Sequence, residues 1–92
     1  MRIQSLFELI EDRKKHPIEK SYTSSLFAEG LSKIAQKVGE EGTEVVIAAL
    51  AQDDQRLIEE VADLTYHTLV LLSARGLNPK QVQAELEKRH KS

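Results

Sequence analysis

Two long stretches with the periodicity of an α-helix dominate this sequence and most constrain its fold. They cover residues 31–51 and about 54–75, and only a short "QDD" segment separates them. A connection of that length makes consecutive helices antiparallel neighbours. No part of the chain alternates apolar and polar residues for the length of a strand, so we predict an all-α fold with two long central helices.

Shorter segments before and after the central pair complete a small bundle. Apolar residues at helical spacing predict a helix over residues 3–15. The stretch "PIEKSYTSS" (17–25) predicts a loop, followed by a short helical turn at 26–29. Asn78 followed by Pro79 is typical of the cap and first turn of a last helix. We therefore predict four to five helices in all.

The size of the chain favours a single domain that associates with a second copy. The 92 residues suffice for one domain, 1–92. The segment "LTYHTLVLL" (64–72) is apolar around nearly its whole circumference, unlike a surface helix. A chain of this size buries only about two-thirds of its unfolded surface. We predict a homodimer in which the same helix of the partner covers the extra apolar face.

Composition excludes several other classes of protein. The net charge is −2 without a dense basic stripe, which gives no reason to expect a nucleic-acid partner. There is no cysteine, so disulfides and thiolate metal sites are excluded. The N-terminal residues lack the pattern of a signal peptide, and the most apolar segment is shorter than a membrane span. We expect a cytoplasmic protein without a membrane partner.

Four acidic residues are arranged in two pairs, one on each long helix. Glu41 and Glu44 share one helical face, and Glu60 and Asp63 share another. Both pairs border the apolar stripe and lie at nearly the same height when counted from the turn. Because four carboxylates in a partly desolvated groove repel one another, the arrangement predicts a bound cation.

Oxygen ligands favour a hard cation, Mg²⁺ or Mn²⁺. Basic residues on the same two faces could contact a polyphosphate: Lys33, Lys37 and Arg56. The implied chemistry is metal-assisted attack of water on a phosphoanhydride. A di-iron site fits less well, because the acid-to-histidine spacing is D-x-x-x-H and such sites use E-x-x-H. The competing interpretation is a helical interaction module whose acids and lysines only decorate a solvated face.

Other polar residues leave alternatives open. Thr23 and Ser24 could donate to phosphate, although helix capping explains them equally well. His67 either hydrogen-bonds a metal ligand or is a buried structural histidine. Gly39 and Gly42 either admit a close neighbour to the first long helix or mark a kink in it.

The sequence resembles the phosphoribosyl-ATP pyrophosphohydrolase family, within the all-α nucleotide pyrophosphatases of the MazG-like superfamily. The superfamily signature E-x-x-E followed by E-x-x-D occurs here as 41–44 and 60–63, with 15 residues between. Three further segments are typical of the family: "SYTSSLFAEG" (21–30), "KIAQKVGEEGTE" (33–44) and "DLTYHTLVLL" (63–72).

The resemblance implies a dimeric, Mg²⁺-dependent enzyme of histidine biosynthesis that converts phosphoribosyl-ATP to phosphoribosyl-AMP and pyrophosphate. It implies that Glu41, Glu44, Glu60 and Asp63 are metal ligands. Glu40 would orient or deprotonate the attacking water, and Lys37 would hold phosphate oxygens. The cyclohydrolase of the next step is expected as a separate chain. A housecleaning pyrophosphatase for ordinary nucleoside triphosphates is the alternative within the superfamily.

Overall fold

The computed structural model describes residues 1–90, which form five α-helices and no strand. Residues 91 and 92, the end of the predicted domain, lie outside this range. The helices are α1 (Ile3–Lys15), α2 (Tyr22–Glu29), α3 (Leu31–Ala51), α4 (Asp54–Ala74) and α5 (Pro79–Arg89). The all-α prediction and the two long central helices are confirmed.

Side-chain caps begin α4 and α5, and the second of them is the predicted one at Asn78. The side chain of Asp53 accepts a hydrogen bond from the backbone N–H of Arg56 at 2.9 Å. At α5, the Asn78 side chain accepts from the N–H of Lys80 at 2.9 Å, and the Gln81 side chain accepts from the Asn78 N–H at 2.8 Å. These bonds satisfy amide groups that a helix start leaves without partners, so both starts are encoded locally.

The predicted loop over residues 17–25 is wrong in its second half, because α2 begins at Tyr22. The side chain of Ser21 accepts a hydrogen bond from the N–H of Ser24 at 3.1 Å and caps the helix. Gly30 then ends α2 with a φ of 98°, and α3 starts at the next residue. The serines that suggested a loop are therefore the cap and first turns of a helix.

Gly76 follows the end of α4 in a left-handed conformation. Its φ is 71°, a region that residues with a Cβ rarely adopt. The N–H of Leu77 donates to the carbonyl of Leu72 at 2.8 Å, and that of Gly76 donates to the carbonyl of Ser73 at 3.0 Å. This pair of bonds is the Schellman motif, which satisfies the last carbonyls of the helix.

The core lies at the end of the α3–α4 hairpin that is remote from its turn. Helices α3 and α4 form the most extensive pair, α1 packs on α4, and α2 packs on α1 and α3. Helices α1 and α3 pack on α4, but Leu64, Leu71 and Leu72 stay half-buried, so the predicted cover of residues 64–72 by a partner copy stays a prediction. The buried apolar cluster consists of Phe7, Ile10, Leu26, Ile34, Leu69 and Val70.

A polar network ties α1 to α4 beside this core. The hydroxyl of Ser73 donates to the carboxylate of Glu11, and the Lys14 ammonium donates to the Ser73 carbonyl at 2.8 Å. The Lys14 Nζ also lies 2.9 Å from Glu11 Oε2. The Ser73 hydrogen bond is the main reason that the pKa of Glu11 is lowered from its ordinary value. Glu11 therefore stays ionised and keeps both helices in register.

The glycines of α3 neither interrupt the helix nor admit a close neighbour. Helix α3 runs unbroken through Gly39 and Gly42. A Cβ built at either position would meet nothing within 4 Å. Within residues 1–90 no close neighbour is therefore observed at these glycines, and the kink stays a prediction.

Large apolar side chains remain exposed where the hairpin turns. We call this surface the hairpin end. The exposed side chains of the hairpin end are Val46, Ile47, Leu50, Ile58 and Val61.

Among the described residues, no helix is long and apolar enough to cross a membrane.

Candidate functional site

Three of the four predicted acidic residues come together between α3 and α4. Each of Glu41, Glu60 and Asp63 offers a carboxylate oxygen, and these oxygens lie within 4.8 Å of one another. Glu60 is buried, Glu41 is half-buried and Asp63 is exposed, so the group spans the wall and the rim of a groove. The antiparallel hairpin explains the convergence, since Glu41 and Asp63 are nearly equidistant from the turn.

Glu44 and Glu40 lie outside this group. Glu44 follows Glu41 by one helical turn towards the hairpin turn, and its side chain is exposed. Glu40 is also exposed and accepts a hydrogen bond from the Gln36 amide at 3.4 Å. The predicted roles of Glu44 as a ligand and of Glu40 at the attacking water therefore stay predictions.

Arg56 lies at the turn side of the group. Its guanidinium donates to the carboxylates of both Glu59 and Glu60. These hydrogen bonds raise the pKa of Arg56, and the bond to Glu59 has the larger effect. The pair with Glu60 supplies the compensation that a buried carboxylate requires.

Lys37 lies on the opposite side, one turn before Glu41, with its Nζ 3.5 Å from Glu41 Oε1. Burial alone would lower the pKa of Lys37. Tyr22 and the carboxylates of Glu41 and Glu40 together act in the other direction, so the net pKa is raised. Lys37 is thus held as a cation beside the carboxylates, whereas Lys33 is half-buried one turn earlier.

His67 is buried and bonded through both ring nitrogens. Its Nδ1 lies 2.8 Å from the backbone carbonyl of Asp63, which can only accept, so Nδ1 carries a proton. In the neutral ring, Nε2 accepts from the hydroxyl of Tyr22 at 3.0 Å. His67 therefore connects the turn of α4 that carries Asp63 with the first residue of α2.

The two candidate hydroxyls on α2 already have partners. Ser24 is buried, and its hydroxyl accepts from the N–H of Ile18 at 3.1 Å and donates to the carbonyl of Arg13 at 3.2 Å. The hydroxyl of Thr23 is paired with that of Tyr66. Phosphate binding at Ser24 would require its bond to Arg13 to break, whereas the half-buried Thr23 is closer to the surface.

An aromatic group that the sequence did not single out adjoins the site. The rings of Tyr22 and Tyr66 stack with centroids 6.2 Å apart and planes at 27°. The His67 ring meets both of them edge-on. Tyr22 is 52% exposed although its hydroxyl is bonded. The only sequence signal was the position of Tyr22 directly after a capping serine, which does not show which helix its ring contacts.

The chemistry of the donor set fits Mg²⁺. All three converging groups are carboxylates, the ligands that hard cations prefer. Their oxygens lie within 4.8 Å of one another, and ligands that share one Mg²⁺ at about 2.1 Å lie roughly 3–4 Å apart. A cation at each side of the group, Lys37 and Arg56, suits a substrate with several anionic oxygens.

Comparison with known proteins places the chain in a family. Residues 3–90 match the family described as phosphoribosyl-ATP pyrophosphohydrolase. A protein of Clostridium botulinum named phosphoribosyl-ATP pyrophosphatase is 54% identical over 87 residues, which are 95% of this chain and 79% of that protein. A protein of Listeria welshimeri with the same name is 54% identical over 95% of this chain and 84% of its own length.

A longer relative carries the same region within a larger chain. The histidine biosynthesis bifunctional protein HisIE of Oceanobacillus iheyensis is 51% identical over 81 residues, which are 88% of this chain and 38% of that protein. Together, the match over residues 3–90 and the identity to both single-function relatives show that this chain belongs to the phosphoribosyl-ATP pyrophosphohydrolase family.

Proposed function

We propose that this protein hydrolyses 1-(5-phosphoribosyl)-ATP to 1-(5-phosphoribosyl)-AMP and pyrophosphate, the second step of histidine biosynthesis. The observation that carries the proposal is the family match over residues 3–90, which includes every residue of the acidic group. The groove has what the reaction needs, because carboxylates for a divalent cation lie between two basic side chains.

Mg²⁺ is the proposed cofactor, with Mn²⁺ as a substitute. Glu41, Glu60 and Asp63 would hold it, and Glu44 is the candidate fourth ligand. When bound, the ion supplies Lewis-acid stabilisation of the charge that develops on the phosphate oxygens. Its presence would also relieve the repulsion among the carboxylates.

The protein's own side chains then bind and orient the reactants. Lys37 donates to phosphate oxygens, and Glu40 accepts the proton of the attacking water. The water oxygen forms a bond to one of the two phosphorus atoms, α or β, that share the bridging oxygen. The bond from that phosphorus to the bridging oxygen breaks, and pyrophosphate leaves. Further substrate contacts are proposed for Lys33, Arg56, Thr23 and Ser24.

The substrate assignment is tested by measuring pyrophosphate release from phosphoribosyl-ATP beside ATP, GTP, CTP and UTP, each with Mg²⁺. We expect the phosphoribosyl adduct to be hydrolysed at least about a hundredfold more efficiently than any ordinary triphosphate, as expected when a site has polar groups matched to one substrate. Turnover of the triphosphates without turnover of the adduct would show a housecleaning pyrophosphatase instead. A protein that hydrolyses none of them would fit the interaction module.

We also infer a homodimer, joined through the hairpin end. Leu50 is 84% exposed and Ile58 is 62% exposed, which is unfavourable for large apolar side chains on a small monomer. Light scattering is expected to give twice the 10.4 kDa mass of the chain. Leu50→Glu should yield monomer, whereas Ile18→Glu, in the loop before α2, should not. A wild-type protein that is monomeric at every concentration would contradict the inference.

A cytoplasmic location completes the proposal. The absence of cysteine from the sequence and the biosynthetic family support the location.

A further inference from the structure

The groove is asymmetric along its length. In α4, Arg56 precedes Glu60 by four residues and His67 follows Asp63 by four, so each lies about 6 Å along the axis from the carboxylates. Helix α3 runs antiparallel, which places Lys37 at the same end as His67. Both ends therefore carry a cation, Lys37 at one and Arg56 at the other.

Within residues 1–90, an aromatic surface adjoins the Lys37 end and not the Arg56 end. The hydroxyl of Tyr22 is bonded to His67, and one ring face stacks on Tyr66. Since Tyr22 is nevertheless 52% exposed, much of its exposed area is ring. A ring fixed both at its hydroxyl and through stacking loses little entropy when it binds a second flat ring.

The two halves of the substrate also differ in whether they contain flat rings. Hydrolysis separates a nucleotide half, which contains flat heterocyclic rings, from a pyrophosphate half, which has only anionic oxygens. An exposed tyrosine ring stabilises a base by stacking. A guanidinium has five N–H donors, and Arg56 uses two of them on Glu59 and Glu60, so three are left to donate to pyrophosphate oxygens.

We propose that the substrate binds in one orientation, with its nucleotide half on the ring of Tyr22 and its pyrophosphate half at Arg56. Tyr22 then contacts substrate directly, and His67 is a positioning residue that holds the ring in place. The inference rests on the proposed function, since the orientation has meaning only for a substrate cut between its α- and β-phosphates.

The orientation is tested by calorimetric titration of AMP and of pyrophosphate, separately, in the presence of Mg²⁺. We expect Tyr22→Leu to weaken AMP binding about tenfold, as the loss of one stacking contact implies, and to leave pyrophosphate binding unchanged. Arg56→Gln should weaken pyrophosphate binding and leave AMP binding unchanged. Tyr22→Phe keeps the ring and should weaken AMP binding only a few fold.

Tyr66→Phe is the matched control. It removes the other hydroxyl bond between α2 and α4, that to Thr23, and keeps the ring on which Tyr22 stacks. We expect AMP and pyrophosphate to bind Tyr66→Phe with the same affinities as the wild type. Circular dichroism of each variant checks that the helices are retained.

Two results would overturn the proposed orientation. One is that Tyr22→Leu and Arg56→Gln each weaken the binding of AMP and of pyrophosphate equally. The other is an unchanged KM for phosphoribosyl-ATP in Tyr22→Leu, for which we expect a rise of about tenfold with little change in kcat. Failure of the function itself would differ, because the wild type would then not hydrolyse phosphoribosyl-ATP at all.

Discussion

Asp63→Asn is expected to abolish pyrophosphate release and leave the fold intact. The change preserves the shape of an exposed side chain, so packing is retained, but it removes one of three converging charges. Loss of a residue that only supports a metal ligand costs about 10–100-fold, so loss of a ligand should cost at least a hundredfold. Pyrophosphate release at saturating phosphoribosyl-ATP and Mg²⁺ measures the effect.

Thermal melting separates loss of the metal from loss of the fold. Mg²⁺ should raise the melting temperature of the wild type in a concentration-dependent manner, because a ligand that binds only the native state stabilises it. It should have little effect on Asp63→Asn. Asp12→Asn, an exposed aspartate on α1, is the control and should keep both the Mg²⁺ response and the activity. Near-native turnover of Asp63→Asn would overturn its assignment as a ligand.

Ile10→Ala is expected to cause the largest loss of stability. Ile10 is 1% exposed and belongs to the cluster that joins α1 to α4. Truncation of a buried isoleucine removes its transfer free energy and leaves a cavity, which costs about 2–5 kcal/mol. A small domain has only about 5–15 kcal/mol in total, so much of the population should unfold at moderate urea concentrations.

The matched control is Ile3→Ala, the same substitution at the first residue of the same helix. Ile3 is 48% exposed, so we expect a loss of less than about 1 kcal/mol. Urea unfolding followed by circular dichroism, at one protein concentration for all variants, gives both values. Equal destabilisation by the two substitutions would show that Ile10 is not a core residue.

Local signals explain why most of the fold could be predicted. Asp53, Asn78 and Gly76 each bond or turn the backbone within a few residues of their own position, so their effects are visible in the sequence. The segment 17–25 was misread because serine and threonine occur both in loops and at helix starts. The hydrogen bond from the Ser24 N–H to the Ser21 hydroxyl, which marks a helix start, is also local. The sequence offers several serines and a threonine that could cap a helix in the same way, so the pattern does not identify Ser21.

The candidate site was predictable to a lesser degree. Helical spacing paired Glu60 with Asp63, and the short turn brought Glu41 level with them. Spacing could not distinguish Glu41, which faces the groove, from Glu44, which is exposed. That difference depends on how α4 packs on α3, since a small rotation of either helix changes which residue faces its neighbour.

The sequence by itself determined the helices, their order and the acidic character of the groove, because periodicity, caps and charge spacing act over one or two turns. Only the tertiary structure decided that Tyr22 reaches His67, that Arg56 neutralises Glu60, and that α1 packs on α4. These are contacts between side chains whose directions depend on how whole helices pack, and no local pattern encodes them.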